Sequence, residues 1–481
     1  MSSLKEKAIS GMMWNAVERF GSTFFLFLSN LVLARLLMPS DFGTVAMLMV
    51  FISISETIVD AGFGSALIQK KDVDEKDYST VFIWNIFFSL FLYSILYICS
   101  PFIANFYNDS LLCNILRVQG IVIILNSFII VQIAKLKKEL NFRLIAKINL
   151  LSVIVGTIAA ILCAVGGMGV WSLVVKMVLQ SLIQVFCYWS NRVLTINRLS
   201  FNIDCFCDMF KFSIFIFLNR LINSGYNNIL SLLVGKIFSA ASLGYYSQAN
   251  KLSDIPRSVI SSIVNNVAFP AYSSINEDLS RLKVAASKSV KCLSLISVPV
   301  MICGIVVAKP LIILLFTDKW ITSVEYFQIL CIAGLSTTMM ESNSVLLNSI
   351  GRSNISFYVR VFEGASDIVL MCIGIQYGMI GLLAAYALGQ FLSFCIGSFF
   401  SGKYISYGFF SQIRDIAPFL FFSIVASVVC EIESIIFKLS DIFQLLIYLL
   451  TFVLIYSLLI LCFCKNEKQV LIETICNKIK K

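Results

Sequence analysis

Long apolar stretches separated by short polar segments recur along almost the whole chain. A helix that crosses a bilayer needs about 20 mostly apolar residues, and about fourteen stretches meet that need. Their approximate bounds are 13–36, 42–67, 80–103, 111–133, 145–166, 170–191, 210–235, 243–269, 286–308, 323–348, 354–376, 379–400, 414–434 and 440–464. The pattern predicts an all-α polytopic membrane protein with about 14 transmembrane helices and no separate soluble domain.

The composition fits that prediction. Of the 481 residues, 59% are hydrophobic and only 13% are charged, and the mean hydropathy is +0.90. Soluble globular domains are roughly half apolar and about a quarter charged. The sequence contains no histidine, which excludes His-ligated zinc and haem sites. The cysteines lie mostly singly in apolar stretches, so we expect neither a metal site nor a cofactor.

Lysine and arginine are concentrated in alternate polar segments. Most of the 37 such residues lie near the two termini or in every second loop. The loops on the other side hold only Arg35, Lys236, Lys309, Lys319 and Lys438. Cytoplasmic loops carry such an excess of positive charge, so we predict that both termini are cytoplasmic. The net charge of +10 follows from this asymmetry and gives no argument for a nucleic-acid partner.

An internal repeat relates the two halves of the chain. An offset of 201 places LARLLMPSDFG (Leu33–Gly43) on VGKIFSAASLG (Val234–Gly244), and weaker matches follow at slightly larger offsets. The offset covers six predicted helices, an even number, so both copies keep the same orientation, as in the parallel repeats of some transporters. At Gly43 and Gly244, easier bending and tight packing both remain open as roles.

The repeat predicts two pseudo-two-fold-related six-helix lobes plus two accessory helices, with the substrate path between the lobes. The predicted parts are an N-terminal lobe at 1–191, a cytoplasmic linker at 192–209, a C-terminal lobe at 210–402, the accessory helices at 403–464 and a basic cytoplasmic tail at 465–481.

Several cations fall inside the predicted spans, where each would cost about 3 kcal/mol if it faced lipid. Five of them are candidate substrate-binding groups of a cationic cavity: Arg19, Arg220, Arg257, Arg117 and Lys176. The offset of 201 places Arg19 on Arg220. A guanidinium binds phosphate oxygens in a bidentate manner, so this cavity suits an anionic cargo. The alternative is that these side chains snorkel to the headgroups or pair with a nearby acid, as Arg257 could with Asp254.

Carboxylates also lie inside the spans. Glu56, Asp60, Glu341 and Asp367 are candidates for balancing the arginines or for binding a coupling ion, H⁺ or Na⁺. Glu18 precedes Arg19 in sequence, but successive residues of a helix point about 100° apart. The two side chains therefore need not neutralise each other.

Four stretches resemble a known group of transporters: LARLLMPSDFGTVAM (Leu33–Met47), DAGFGSALIQKKDVDEKDYSTVFIWN (Asp60–Asn85), SLGYYSQANKLSDIP (Ser242–Pro256) and LLNSIGRSNI (Leu346–Ile355). The chain resembles, over nearly its whole length, the exporter superfamily that joins multidrug (MATE) antiporters, lipid II flippases and polysaccharide flippases. The likeness is closest to the Wzx-type lipopolysaccharide and exopolysaccharide flippase branch.

The resemblance implies a flippase, not an enzyme, in the bacterial inner membrane. Its cargo would be an undecaprenyl-pyrophosphate-linked oligosaccharide, such as a repeat unit of O-antigen, capsule or exopolysaccharide, moved to the periplasmic leaflet by alternating access. Family members have an arginine of a cationic cavity in their first helix, a position that Arg19 matches and to which Arg220 is the repeat counterpart. Candidate partners are membrane lipid, a polysaccharide polymerase and a chain-length regulator.

Two other functions remain as alternatives. A MATE-type cation-coupled multidrug antiporter would favour an acidic cavity. A membrane polysaccharide polymerase or ligase would need a large periplasmic loop.

Overall fold

The computed structural model describes residues 2–194, 199–436 and 440–463. These ranges are almost entirely α-helical and contain no β-strand, which confirms the predicted all-α polytopic class. The predicted basic tail at 465–481 lies outside them. The chain divides into two compact units, Met1–Ser247 and Gln248–Lys481.

The helices of the first unit follow the predicted spans, with breaks inside two of them. They are α1 (Ser2–Leu36), α2 (Pro39–Asp60), α3 (Phe63–Gln69), α4 (Glu75–Tyr107), α5 (Leu111–Gln119), α6 (Ile121–Ser127), α7 (Ile130–Lys138), α8 (Phe142–Val165), α9 (Trp171–Ser190), α10 (Ile203–Ile237) and the beginning of α11 (Ala240–Ile263). The predicted span 42–67 is broken between α2 and α3, and the span 111–133 consists of α5, α6 and α7.

The break between α2 and α3 has a clear backbone cause. Ala61 and Gly62 both adopt left-handed conformations, with φ of 43° and 78°. Glycine takes up this region without a steric penalty, so the helix ends at Asp60 and restarts at Phe63. Asp60 is therefore the last residue of α2, and its carboxylate accepts a backbone N–H from the first turn of α3.

Two aligned glycines of the repeat are in reciprocal contact within the first unit. A Cβ atom added to Gly43 on α2 would lie 1.6 Å from the carbonyl oxygen of Ala240, at the start of α11. A Cβ atom added to Gly244 on α11 would lie 1.9 Å from the carbonyl oxygen of Pro39, at the start of α2. The two helix ends therefore meet backbone to backbone, which supports tight packing as the role of these glycines.

The second unit holds the rest of α11, which passes into a π-helical turn at Val264–Ala268. It continues with α12 (Phe269–Ser273), α13 (Leu279–Phe316), α14 (Ser323–Ser349), α15 (Ser353–Gly374), α16 (Gly378–Ile405), α17 (Phe409–Ile436) and α18 (Asp441–Phe463). A buried apolar cluster joins α13, α14, α17 and α18.

A buried amide network fixes α17, one of the two predicted accessory helices, to this core. Asn343 on α14 donates its Nδ2 to Oε1 of Gln412 on α17 at 3.0 Å, and Gln412 donates its Nε2 back to Oδ1 of Asn343 at 2.8 Å. Ser398 and Ser401 on α16 bond to the same pair. Polar groups buried in this way are costly unless each has a partner, so the network fixes how the three helices pack.

Ten helical segments in the described ranges are long and apolar enough to cross a bilayer. One of them, Ser353–Ile405, contains both α15 and α16. Helices α10, α11 and α14 also coincide with predicted spans but are not among the ten. The count of fourteen spans therefore stays a prediction, as do the lobe boundaries. The compact units are defined by packing, whereas the lobes are defined by the sequence repeat.

Candidate substrate-binding site

Arg220, on α10, is held by α2 and α3. Its Nη1 forms an ion pair with Oδ2 of Asp60, and its Nη2 donates to Oγ of Ser65 at 3.0 Å. The arginine side chain remains 48% exposed and that of Asp60 22% exposed. Oδ1 of Asp60 accepts the backbone N–H of Gly64 at 3.2 Å. Both terminal nitrogens of the guanidinium are thus occupied by the groups that flank the α2–α3 break.

The same side of α2 carries further polar groups. Glu56, one turn before Asp60, accepts a hydrogen bond from Nδ2 of Asn126 on α6 at 2.6 Å. Ser53, almost one turn earlier, accepts from Nδ2 of Asn228 on α10 at 3.2 Å. A row of polar contacts therefore connects α2 to α6 and α10, and the Asp60–Arg220 pair lies at one end of this row.

Arg19, on α1, has a different environment. Its side chain is exposed, and it makes no hydrogen bond or ion pair with any residue in the described part of the chain. The neighbouring Glu18 accepts a hydrogen bond from Nδ2 of Asn149 on α8 at 2.8 Å. The two charges thus do not neutralise each other, and the Arg19 guanidinium is open to a ligand.

Arg117 and Lys176 lie at other positions in the first unit. Arg117, on α5, donates its Nε to Oγ of Ser100 at 2.9 Å, and its guanidinium lies 4.3 Å from the centre of the Tyr97 ring. Lys176, on α9, donates its Nζ to Oγ of Ser29 on α1 at 2.6 Å. No contact joins either cation to Arg19 or Arg220 in the described residues, so their predicted place in one shared cavity stays a prediction.

The remaining predicted site residues lie in the second unit. Arg257 forms an ion pair of 3.0 Å with Asp254, three residues earlier on α11, the pairing that the sequence left open. Glu341, on α14, accepts a hydrogen bond from the hydroxyl of Ser261. Asp367, on α15, is fully buried and accepts Nε2 of Gln390 on α16 at 2.8 Å.

A second set of charged residues fixes the C-terminal end of α3, which the predicted topology places on the cytoplasmic side. Lys70, just after α3, pairs with Asp77 at 2.6 Å, and Lys138 donates to the carbonyl oxygens of Leu67 and Lys70. The hydrogen bond with Asp77 raises the pKa of Lys70 above its usual value. These contacts hold α3 in place, and with it Ser65, one of the groups that engage Arg220.

Sequence reasoning selected these charged residues as candidates but did not select the neutral groups that they contact. Ser65, Asn126, Asn149 and Gln390 each supply a hydrogen bond to a predicted charged residue. The only signal for them in one sequence is a polar residue inside an apolar stretch, and many such residues have other roles. Within the described ranges, no three His, Cys, Asp or Glu side chains cluster closely enough to hold a metal ion.

Comparisons with known proteins fit this arrangement. The chain is 27% identical to the teichuronic acid biosynthesis protein TuaB of Bacillus subtilis (strain 168), over 87% of this chain and 88% of that one. It is 25% identical to the lipopolysaccharide biosynthesis protein WzxC of Escherichia coli (strain K12), over 82% of this chain and 81% of that one. The structure of the lipid II flippase MurJ, in an inward closed conformation, superposes with a TM-score of 0.74 at 18% identity and covers 93% of this chain and 98% of that one.

These matches confirm the resemblance to Wzx-type transporters that the sequence motifs indicated, and the MurJ likeness confirms the fold. A family model described as "Polysaccharide biosynthesis protein" matches residues 32–325. That range contains both halves of the Arg220–Asp60 pair and more than half of the chain. The chain therefore belongs to the family of polysaccharide biosynthesis proteins.

Proposed function

We propose that this protein is a flippase that moves an undecaprenyl-pyrophosphate-linked oligosaccharide from the cytoplasmic to the periplasmic leaflet of a bacterial inner membrane. Family membership supports a role in polysaccharide biosynthesis, and the MurJ-like fold suits a lipid-linked cargo. The observation that carries the proposal is the pair of arginines that the repeat aligns in α1 and α10: Arg19 is open to a ligand, and Arg220 is held by Asp60 and Ser65, which a phosphate could replace.

The contacts of Arg220 indicate how a phosphate would bind. The planar guanidinium fork matches the oxygens of carboxylate and phosphate alike. Asp60 and Ser65 present two oxygens to Nη1 and Nη2, the arrangement that a phosphate group would replace. Cargo binding at Arg220 is therefore an exchange of one anion for another, whereas binding at Arg19 breaks no contact within the described residues.

The proposed topology places both termini in the cytoplasm, in keeping with the distribution of lysine and arginine. Alternating access would then open the site to each side in turn.

Coupling to H⁺ or Na⁺ is a further part of the proposal. Glu56 has a single amide donor and no ion pair within the described residues, so a bound proton or Na⁺ would satisfy its charge. When cargo binds Arg220, the Asp60 carboxylate loses its counter-charge, and a bound proton would neutralise it. Glu341 and Asp367 are the corresponding candidates in the second unit.

The alternative functions have weaker support. A drug antiporter for cationic cargo would place acids where Arg19 and Arg220 lie, and these arginines would repel such a cargo. A polymerase or ligase would need a sizeable domain outside the membrane. The α13–α14 connection, on the predicted periplasmic side, is only a short 3₁₀ turn at Asp318–Trp320 with its flanking residues.

Export by site variants in a strain that lacks this gene tests the proposal. Arg19→Ala and Arg220→Ala should each abolish surface polysaccharide at matched protein level in the membrane. Arg19→Lys should restore export only in part, since an ammonium cannot replace the bidentate fork. Arg143→Ala is the matched control, because Arg143 is exposed, stacks on Trp14 at 5.4 Å and lies outside the site. Wild-type export from both alanine variants would show that neither arginine binds the cargo.

A further inference from the structure

Arg117 is held in a fixed orientation on the outer surface of the first unit. Its Nε donates to Ser100 at 2.9 Å, its guanidinium lies over the Tyr97 ring at 4.3 Å, and its backbone carbonyl accepts the Tyr93 hydroxyl at 3.0 Å. Its two terminal nitrogens have no partner in the described part of the chain. Two contacts thus orient the guanidinium and a third holds its backbone, while the outer edge of the guanidinium remains available for a ligand.

The surroundings of Arg117 face lipid. Tyr97 is 45% exposed, and Leu90, two turns earlier on the same side of α4, is 47% exposed. Large apolar side chains exposed on a membrane-spanning helix are the part that contacts the acyl chains. The groove between α4 and α5 that holds Arg117 is therefore open toward the bilayer.

The depth of Arg117 matches the level of lipid phosphates. Helix α4 has 33 residues and is about 50 Å long at 1.5 Å per residue, whereas the hydrocarbon core is about 30 Å thick. If the helix is centred, about 10 Å extends beyond the core at each end, which puts the outer boundary near Ser100. Tyrosines such as Tyr93 and Tyr97 are enriched at that boundary.

The number of positive charges near Arg117 indicates which kind of phosphate group the site fits. Besides Arg117, the cation that contacts this end of α4 in the described residues is Lys236, whose ammonium lies 4.3 Å from the centre of the Phe106 ring. Phe106 is nine residues beyond Tyr97, which at 100° per residue is the opposite side of the helix. One guanidinium complements the single charge of a phosphodiester, whereas a pyrophosphate would call for a second cation.

From these observations we propose that Arg117, Ser100, Tyr97 and Tyr93 form a binding site for the phosphodiester headgroup of a bilayer phospholipid, in the leaflet opposite the chain's termini. The choice of leaflet rests on the proposed topology, but the site itself does not depend on flippase activity. The terminal nitrogens of Arg117 donate to the phosphate oxygens, and the acyl chains extend from there toward the bilayer centre along Leu90.

Lipid binding to the purified full chain tests the site, with phosphatidylglycerol as the probe and native mass spectrometry as the readout. Arg117→Ala should weaken binding of the tightest phosphatidylglycerol about tenfold or more, as expected for a lost charge-assisted hydrogen bond. Arg117→Lys should weaken it less. Tyr97→Leu, which keeps the arginine but removes the ring beneath it, should also weaken it and covers the case in which Arg117→Ala fails to fold. Lys236→Ala is the matched control and should bind as the wild type does.

Three results would overturn the proposal. Unchanged binding by folded Arg117→Ala would show that the arginine contacts only water. An equal loss in Lys236→Ala would reduce the effect to general positive charge at the membrane surface. Displacement of phosphatidylglycerol by undecaprenyl pyrophosphate at equal mole fraction would assign the groove to the cargo.

Discussion

The reciprocal contact of Gly43 and Gly244 makes a sharp prediction about substitution by alanine. A Cβ on Gly43 would lie 1.6 Å from the Ala240 oxygen, whereas ordinary contacts of this kind begin near 3.4 Å. One helix end would therefore have to move by about 1.8 Å. Overpacking of this kind costs about 1–3 kcal/mol, and the usual gain of up to about 1 kcal/mol for replacing a helical glycine by alanine offsets only part of it. We expect Gly43→Ala and Gly244→Ala to destabilise the protein.

Gly225 provides the matched control. It lies inside α10, and a Cβ atom added there would meet nothing within 4 Å, so Gly225→Ala should leave stability unchanged or raise it slightly. Thermal unfolding of the purified variants in one detergent, followed by the loss of monodisperse protein, compares the three substitutions directly. If Gly43→Ala unfolds at the same temperature as Gly225→Ala, the helix ends do not meet backbone to backbone and the reasoning fails.

Three further predictions follow from contacts in the described residues. Asp60→Asn should bind undecaprenyl pyrophosphate more tightly than the wild type, because it removes the anion that competes for Arg220; unchanged affinity in a binding titration would contradict the exchange. Lys70→Ala should lower stability by about 1–3 kcal/mol and more than Asp77→Asn does, since Asp77 is fully buried and would lose its counter-charge. Because that hydrogen bond raises the pKa of Lys70, the contribution of the ion pair to stability is complete at neutral pH and is lost only as the pH rises above the usual lysine pKa. Equal melting temperatures of Lys70→Ala and Asp77→Asn at neutral pH would contradict the expected order of the two variants. Gln412→Ala should cost about 1–3 kcal/mol, because the buried Asn343 amide on α14 loses the two hydrogen bonds that it shares with Gln412. An unshifted melting temperature would show that this network does not hold α17 to the core.

The positions of the helices could be predicted because the bilayer imposes one length scale on the sequence. Every predicted span coincides with a helix or a series of helices in the described ranges. The breaks inside 42–67 and 111–133 escaped prediction because hydropathy averages over a window and does not register a single residue such as Gly62. The break matters for the proposed cargo site, since it brings the Asp60 carboxylate and the Ser65 hydroxyl to the same guanidinium.

The charged residues of the candidate site could be singled out for a related reason, since charge inside a membrane is costly and needs an explanation. What each charge contacts could not be predicted, because the partners are small neutral groups distant in sequence. Ser65 and Arg220 are 155 residues apart, and Glu18 and Asn149 are 131 apart. No periodic pattern connects such pairs, and only packing brings them together.

The repeat aligns Arg19 with Arg220, yet the structure gives the two arginines unequal surroundings, and the inequality bears on the order of events. Arg220 must part from Asp60 and Ser65 before it can bind a phosphate, whereas Arg19 has no described contact to break. Cargo should therefore engage Arg19 first and gain Arg220 only by exchange. In that sequence Asp60→Asn tightens binding only while Arg220 is present, and the double variant Asp60→Asn, Arg220→Ala should bind no more tightly than Arg220→Ala alone. A double variant that still gains affinity would show that Asp60 acts on the cargo by some route other than its contact with Arg220.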